Sequence, residues 1–361
     1  MAREFSAIPS LPGVNCRPYW QKQKKTGLRN NMAQKIRWGI IGCGLIAPKF
    51  FQALEKTGEG QVVAAASKSM QRAKRLKKKT GIAQVYGSYE EMLSHEELDA
   101  VYVANTHAEH AAAAKLCLEH SLPVLVEKAF TRNAGEAAEL IALARQKNIF
   151  MMEAMWTRFN PATAKLRELL RDGAIGDVQH LHAEFCVRML PSRKTLPWNR
   201  MYSPQLAGGA LLDIGVYPIS FARLVFGRSP DRIRSSAERA WTGVDKTSEY
   251  HFDYSGGQRA GLIASFVKQR PRDAVITGTR GIIRMPHFSA ADRLTITRSG
   301  QAPETIRCAA PGFEYEIREV HRCLSKGLTE SPLMPLTETL EIMRTMDALR
   351  AQWGMKYPGE L

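Results

Sequence analysis

A short apolar strand that runs directly into a glycine turn and then a helix constrains this chain more than any other feature. Ile36–Ile41 (IRWGII) leads into Gly42-Cys43-Gly44-Leu45-Ile46-Ala47, and a helical pattern continues to about Lys56. In this G-x-G-x-x-A run, Gly42 permits a tight turn, Gly44 leaves room for a pyrophosphate against the backbone, and Ala47 lets the helix pack close to the strand. The helix N-terminus then faces the phosphates with its unpaired N–H groups. Alone, the pattern also fits a structural turn in a flavodoxin-like fold. Its position at the first strand-to-helix turn of an alternating unit points instead to a dinucleotide site lined by Gly42, Gly44, Leu45 and Ile46.

The alternation is sustained. Further strands are expected at 62–66, 84–86, 99–104, 123–126 and 149–152, with helices at 69–79, from Tyr89, up to Glu119 and at 133–146. This order implies a parallel, doubly wound sheet whose ligands sit at the carboxyl ends of the strands. Asn105, Thr106, His107 and His110 follow the fourth strand and should line that crevice, although His107 suits a hydrogen-bonding role at a helix N-terminus equally well. After Met152 the alternation stops. Segments at Val178–Cys186, 236–241, 250–254, 259–266, 273–277, Gly281–Met285 and 294–297 read as strands, with helical blocks at 212–225, 315–324 and 338–353. Consecutive strands imply an α+β domain built on a large, open, mainly antiparallel sheet. Helices can cover one face of it and a second subunit the other, so a homodimer or dimer-based oligomer is expected. The chain divides into an N-terminal extension (1–34), a Rossmann unit (35–156) and an α+β substrate-binding and oligomerisation unit (157–361).

The net charge of +16 is local: residues 1–34 carry +5 and residues 68–79 carry +7. A basic arm and one basic helix leave the rest of the 361 residues nearly balanced, which argues against a nucleic-acid partner. No apolar run approaches the roughly 18 residues of a membrane span, and residues 1–31 hold no apolar core of a secretory signal. The 6 cysteines form no C-x-x-C pair and no zinc spacing with histidine, so a reduced, cytoplasmic setting and no metal are expected.

A carboxylate at the end of the second strand would bind the ribose 2′-hydroxyl of NAD. Here Ser67-Lys68-Ser69 stands in that position, with Arg72 one turn on. A hydroxyl and two cations suit a 2′-phosphate, so NADP is expected over NAD. Glu127-Lys128 ends the fifth strand, where both are expected at the cofactor and the lysine points at the crevice. Asp213 and Tyr217 are four residues apart on one helix face, after Gly208-Gly209. Loss of a hydroxyl proton to a tyrosine is slow at neutral pH unless a neighbouring Lys⁺ stabilises the phenolate, which makes Lys128 and Tyr217 an acid/base pair. Asp213 would bind a substrate hydroxyl or orient Lys128. Arg188, Arg193 and Lys194 either edge the substrate pocket or face solvent.

GCGLIA, ASKS, EKAF, MEAMWTRFNP, GGALLDIGVYP and KGLTESPLMPL, in this order, resemble the Gfo/Idh/MocA oxidoreductase family, and within it the branch of dimeric dihydrodiol dehydrogenase and NADP-dependent xylose dehydrogenase. The resemblance runs from about residue 35 to the C-terminus. It implies an NADP(H)-dependent oxidoreductase that moves a hydride to or from a CH–OH carbon of a sugar, cyclic polyol or trans-dihydrodiol. It also implies that Lys128 and Tyr217 act at the substrate, with Asp213 as the acid of the second motif, and that Trp156 and Arg158 lie near the cofactor. Ala129 replaces the proline usual after the lysine. A non-catalytic NADP sensor on the same fold is the competing reading.

Overall fold

The computed structural model describes residues 35–189 and 199–360. The expected N-terminal extension and the loop cations Arg193 and Lys194 lie outside the described residues. The first sheet is built from β1 (Ile36–Ile41), β2 (Gly60–Ala66), β3 (Gln84–Tyr86), β4 (Ala100–Val103), β5 (Val124–Glu127) and β6 (Met151–Ala154). Between them run α1 (Ala47–Thr57), α2 (Met70–Thr80), α3 (Tyr89–His95), α4 (His107–Glu119) and α5 (Ala134–Lys147). The strands are all parallel in the order β3-β2-β1-β4-β5-β6, a doubly wound Rossmann arrangement. Every residue of β4, β5 and β6 is buried, because helices cover both faces. Ser69, Ser88 and Asn133 start α2, α3 and α5 by accepting a backbone N–H three residues on.

The second sheet has eight strands: β7 (Val178–Cys186), β8 (Arg232–Arg239), β9 (Asp245–Asp253), β10 (Arg259–Ser265), β11 (Ala274–Gly278), β12 (Gly281–Met285), β13 (Arg293–Arg298) and β14 (Glu304–Arg307). Their order is β14-β13-β12-β11-β7-β10-β9-β8, antiparallel except where β10 lies parallel to β7. With it come α6 (Pro161–Arg171), α7 (Val216–Phe226), α8 (Glu314–Ser325) and α9 (Leu336–Trp353).

Two elements were not anticipated. α6 starts at Asn160-Pro161, with the proline in the first turn where its missing N–H costs nothing. β14 is a four-residue edge strand with three exposed positions, so it carries no apolar alternation to read. The strand expected at 236–241 begins earlier and ends before Trp241, whose 72% exposure puts it in the connecting turn.

The stretch Pro204–Phe226 is long and apolar enough to cross a bilayer, contrary to the expectation that no such run exists. Its apolar window is 78% buried inside the fold, and it serves as a core segment.

The C-terminal helices tie the two sheets together. Trp38 of β1 donates its indole N–H to His321 of α8 at 3.1 Å, and Asp347 of α9 accepts the Ala134 N–H at the start of α5 at 2.7 Å. A buried ionic cluster adds to this. Arg158, in the turn after β6, donates to Glu338 of α9 at 2.7 Å and to the Ser220 hydroxyl and carbonyl of α7 at 2.9 and 2.7 Å. Arg223 reaches the other Glu338 oxygen at 2.9 Å. Glu338→Ala leaves the Arg158 charge buried and unpaired. This variant is expected to lose about 3–5 kcal/mol of stability, read as a lower denaturant midpoint, whereas the exposed Glu304→Ala should leave the midpoint unmoved.

Candidate active site

The glycine turn after β1 is a preformed cradle. Gly42 has φ +100°, and an added Cβ would lie 2.5 Å from Ala104 C and Asn105 N, so only glycine fits. At Gly44 the nearest atom to an added Cβ is 3.9 Å away, and the adjoining Leu45 is 94% exposed. Ile46 stands at the N-cap of α1, where no side chain caps the helix and no acidic residue occupies the first turn. Across the crevice, Asn105 Oδ1 and Thr106 Oγ1 are buried without a hydrogen-bond partner among the described residues. An open backbone cradle, an uncapped helix N-terminus and unclaimed polar atoms fit a dinucleotide.

At the end of β2, Ser67 is buried and its hydroxyl accepts the Ser69 N–H at 3.2 Å, fixing the turn into α2. Arg72 is exposed on the first turn of α2. Lys68 is exposed too, but its ammonium sits 2.5 Å from Glu109 Oε1 of α4.

The second constellation joins the two sheets. Lys128 leaves the carboxyl end of β5 through a cis peptide to Ala129. Its ammonium donates to the Asp213 carbonyl at 2.5 Å and to Asp213 Oδ1 at 3.1 Å, and lies 5.1 Å from the centre of the Tyr217 ring. Arg200 donates to the same Oδ1 at 2.9 Å, and His107 Nε2 stands 4.0 Å from it. Asp213 lies in a π turn, Leu211–Gly215, that opens into α7. Asp245 of β9 anchors that turn: its Oδ2 accepts the Leu211 N–H at 2.8 Å. Gly209, at φ +112°, lets the chain pass Asp245 where a Cβ would lie 2.3 Å from Oδ1. Tyr217 is stacked on Phe185 of β7 with ring centres 5.1 Å apart, and its hydroxyl accepts the Trp156 indole N–H at 3.2 Å.

Burial and charge set the protonation states. Burial favours a neutral Asp213, but the Lys128 and Arg200 charges overcome it and hold the carboxyl well below its ordinary range. Burial opposes the Lys128 charge, yet Asp213 holds its pKa above the ordinary value. His107 is pushed down to about 3 by burial and then by the Lys128 charge, and His110 to about 4 mainly by burial. Both rings are therefore neutral at pH 7. Each has Nδ1 at 2.9 Å from a backbone carbonyl, Ala207 O for His107 and Ala129 O for His110, which puts the proton on Nδ1. Tyr217 moves up, because burial outweighs the pull of Lys128. At rest the side chain is therefore a phenol, on which the Lys128 charge still acts in favour of the phenolate.

Two residues expected at the cofactor turn elsewhere. Glu127 is buried, with one oxygen accepting the Tyr102 hydroxyl at 2.5 Å and the other the Lys128 N–H at 3.1 Å. Arg158 belongs to the Glu338 cluster described above. The structure also brings in residues that pattern reading passed over. Arg200, Phe185 and Glu109 are isolated in sequence from the motifs they serve. The only trace in the sequence is that Arg200 precedes the glycine pair and Glu109 is the one acid in an alanine-rich turn.

Residues 36–154 match the family described as "Oxidoreductase family, NAD-binding Rossmann fold", and residues 163–284 match "GFO/IDH/MocA C-terminal domain". The chain is 35% identical to trans-1,2-dihydrobenzene-1,2-diol dehydrogenase of Bos taurus, over 90% of this chain and 98% of that one. It is 36% identical to the Xenopus laevis protein of the same name, over 89% and 99%. Among solved structures it is similar to a 3-ketoreductase from Actinomadura kijaniata in complex with NADP and TDP-benzene. That match has TM-score 0.79 and 27% identity, and covers 88% of this chain and 98% of that one.

Asp213→Asn keeps the shape of this centre and removes its charge. Lys128 then retains the burial that lowers its pKa and loses the carboxylate that raises it. The alkaline limb of the activity–pH profile is expected to move to lower pH by about 1–3 units. An unmoved limb would detach Lys128 from the rate.

Proposed function

The chain belongs to the Gfo/Idh/MocA oxidoreductase family, and on that premise we propose that it is an NADP(H)-dependent dehydrogenase or reductase of CH–OH groups on a sugar, cyclic polyol or trans-dihydrodiol. The observation that carries the reading is the Lys128 ammonium, buried against Asp213 and 5.1 Å from the Tyr217 ring at the carboxyl end of β5. Residues 35–156 form the nucleotide-binding unit in this proposal, and residues 157–361 the substrate-binding and oligomerisation unit.

When bound, the nicotinamide supplies or accepts the hydride at the substrate carbon. The Tyr217 phenol donates its proton to the carbonyl oxygen in reduction and takes it back from the alcohol in oxidation. The phenolate left after donation gains the Lys128 charge as its counter-ion, so the pair stabilises the charge that develops during reaction. Asp213 keeps Lys128 cationic, and neutral His107 leaves an unprotonated Nε2 beside them. Gly42, Gly44, Leu45, Ile46, Asn105 and Thr106 would hold the pyrophosphate and ribose. Ser67, Lys68 and Arg72 would hold the 2′-phosphate. NADP in the complex of the ketoreductase relative supports that preference, and the names of the dehydrogenase relatives support the diol class. The reaction belongs in the cytoplasm in this reading.

The second sheet supports a homodimer. Along β7, β9 and β10, buried Leu181, Tyr250 and Leu262 alternate with partly exposed His182, Glu249 and Ile263, which leaves a broad mixed face for a second copy. Sedimentation of the purified chain is expected to give a dimer, and a monomer at micromolar concentration would remove this part of the proposal.

Tyr217→Phe removes the transferable proton and keeps the ring on Phe185. Turnover is expected to fall about 10²–10⁴-fold, while the NADPH dissociation constant stays unchanged. The assay is NADPH absorbance with a panel of aldoses, inositols and cyclic diols. Full activity in the variant would overturn the acid/base assignment.

A further inference from the structure

The NADP reading above rests on two cations at the end of β2, but one of them is already engaged. Lys68 Nζ lies 2.5 Å from Glu109 Oε1, and that carboxylate comes from α4, on the opposite wall of the crevice. Glu109 is fixed more firmly than Lys68: its side chain is 33% exposed against 69%, and its backbone carbonyl accepts the Asn105 side-chain N–H at 3.3 Å. Asn105 is itself one of the residues with an unclaimed buried oxygen in the crevice. The acid that a 2′-hydroxyl-binding site would carry at the end of β2 is absent there, while a carboxylate from another element approaches the same point in space.

We propose that Glu109 is a cofactor-selectivity residue, a counter-ion on Lys68 that weakens binding of the 2′-phosphate and so narrows the preference for NADPH over NADH. This inference rests on the assignment of Lys68 and Arg72 to the 2′-phosphate. A phosphate that approaches Lys68 must compete with the Glu109 carboxylate for one ammonium, whose charge that carboxylate already largely neutralises. NADH carries no charge at that position and does not meet the competition. Arg72 is exposed and has no ion pair among the described residues. It therefore carries most of the attraction while Glu109 is present.

The test is direct binding of NADPH and of NADH to the full chain, measured by nucleotide fluorescence, for wild type, Glu109→Gln, Lys68→Gln and the double variant. Thermal melts check that each variant is folded. The inference predicts that Glu109→Gln tightens NADPH about three- to ten-fold, the scale of a partly screened charge, and leaves NADH unchanged. It also predicts that the gain disappears when Lys68 is already glutamine, since the two substitutions act through one contact. Unchanged NADPH affinity in Glu109→Gln would overturn it. So would an equal loss for both nucleotides, which would make Glu109 a ribose ligand. A gain that survives in the Lys68→Gln background would also overturn it. If instead wild type binds NADH as tightly as NADPH and Arg72→Ala changes neither, the 2′-phosphate assignment itself fails. Those measurements are independent of the Glu109 comparison.

Discussion

One carboxylate oxygen holds the centre together. Asp213 Oδ1 receives the Lys128 ammonium at 3.1 Å and the Arg200 guanidinium at 2.9 Å in a buried position. Lys128 comes from the first sheet and Asp213 from the segment that opens α7, so this contact joins the two units at the point where the chemistry is proposed. A buried ion pair of this kind is poor evidence of stability, because the desolvation of both partners offsets much of their attraction. Its value lies in position and charge. It holds an ammonium in its protonated form at a place where burial alone lowers its pKa.

The surrounding groups respond to that retained charge. It pushes His107 further toward neutrality, and burial does the same for His110, so the site at pH 7 holds two neutral imidazoles rather than two more cations. It pulls on Tyr217 without overcoming burial, which leaves the side chain a phenol. The ammonium approaches the ring of Tyr217, while the hydroxyl takes its hydrogen bond from Trp156. Asp213 depends in turn on Asp245, whose carboxylate holds the start of the π turn from the neighbouring sheet. The proposed acid/base pair is thus fixed by groups far apart in sequence, each acting through a charge or a backbone N–H.

The fold was legible where one local rule decided the structure. β1 and its glycine turn follow from an apolar run ending in Gly42, and β3, β7 and β12 begin and end where the residue pattern says. α6 and β14 escaped because one is announced only by Asn160-Pro161 and the other is polar and lies at an edge. Lys128, Asp213 and Tyr217 could be singled out as a group because each sits in a short motif. Their actual contacts could not, since side-chain direction is set by packing. Arg158 shows this most clearly: it follows the sixth strand as a cofactor residue would, yet Glu338 and Ser220, from distant helices, turn it inward. Arg200 and Glu109 act across the fold on partners with no sequence relation to them.

The central claim is that Asp213 keeps Lys128 charged inside the protein. It is tested most directly by following the Lys128 ammonium itself, with selectively ¹⁵N-labelled lysine and the Lys128→Met spectrum for assignment. The account predicts that this resonance remains that of an ammonium past the ordinary lysine value of 10.5. Titration of the Lys128 signal below about pH 9, well under the free lysine range, would contradict it.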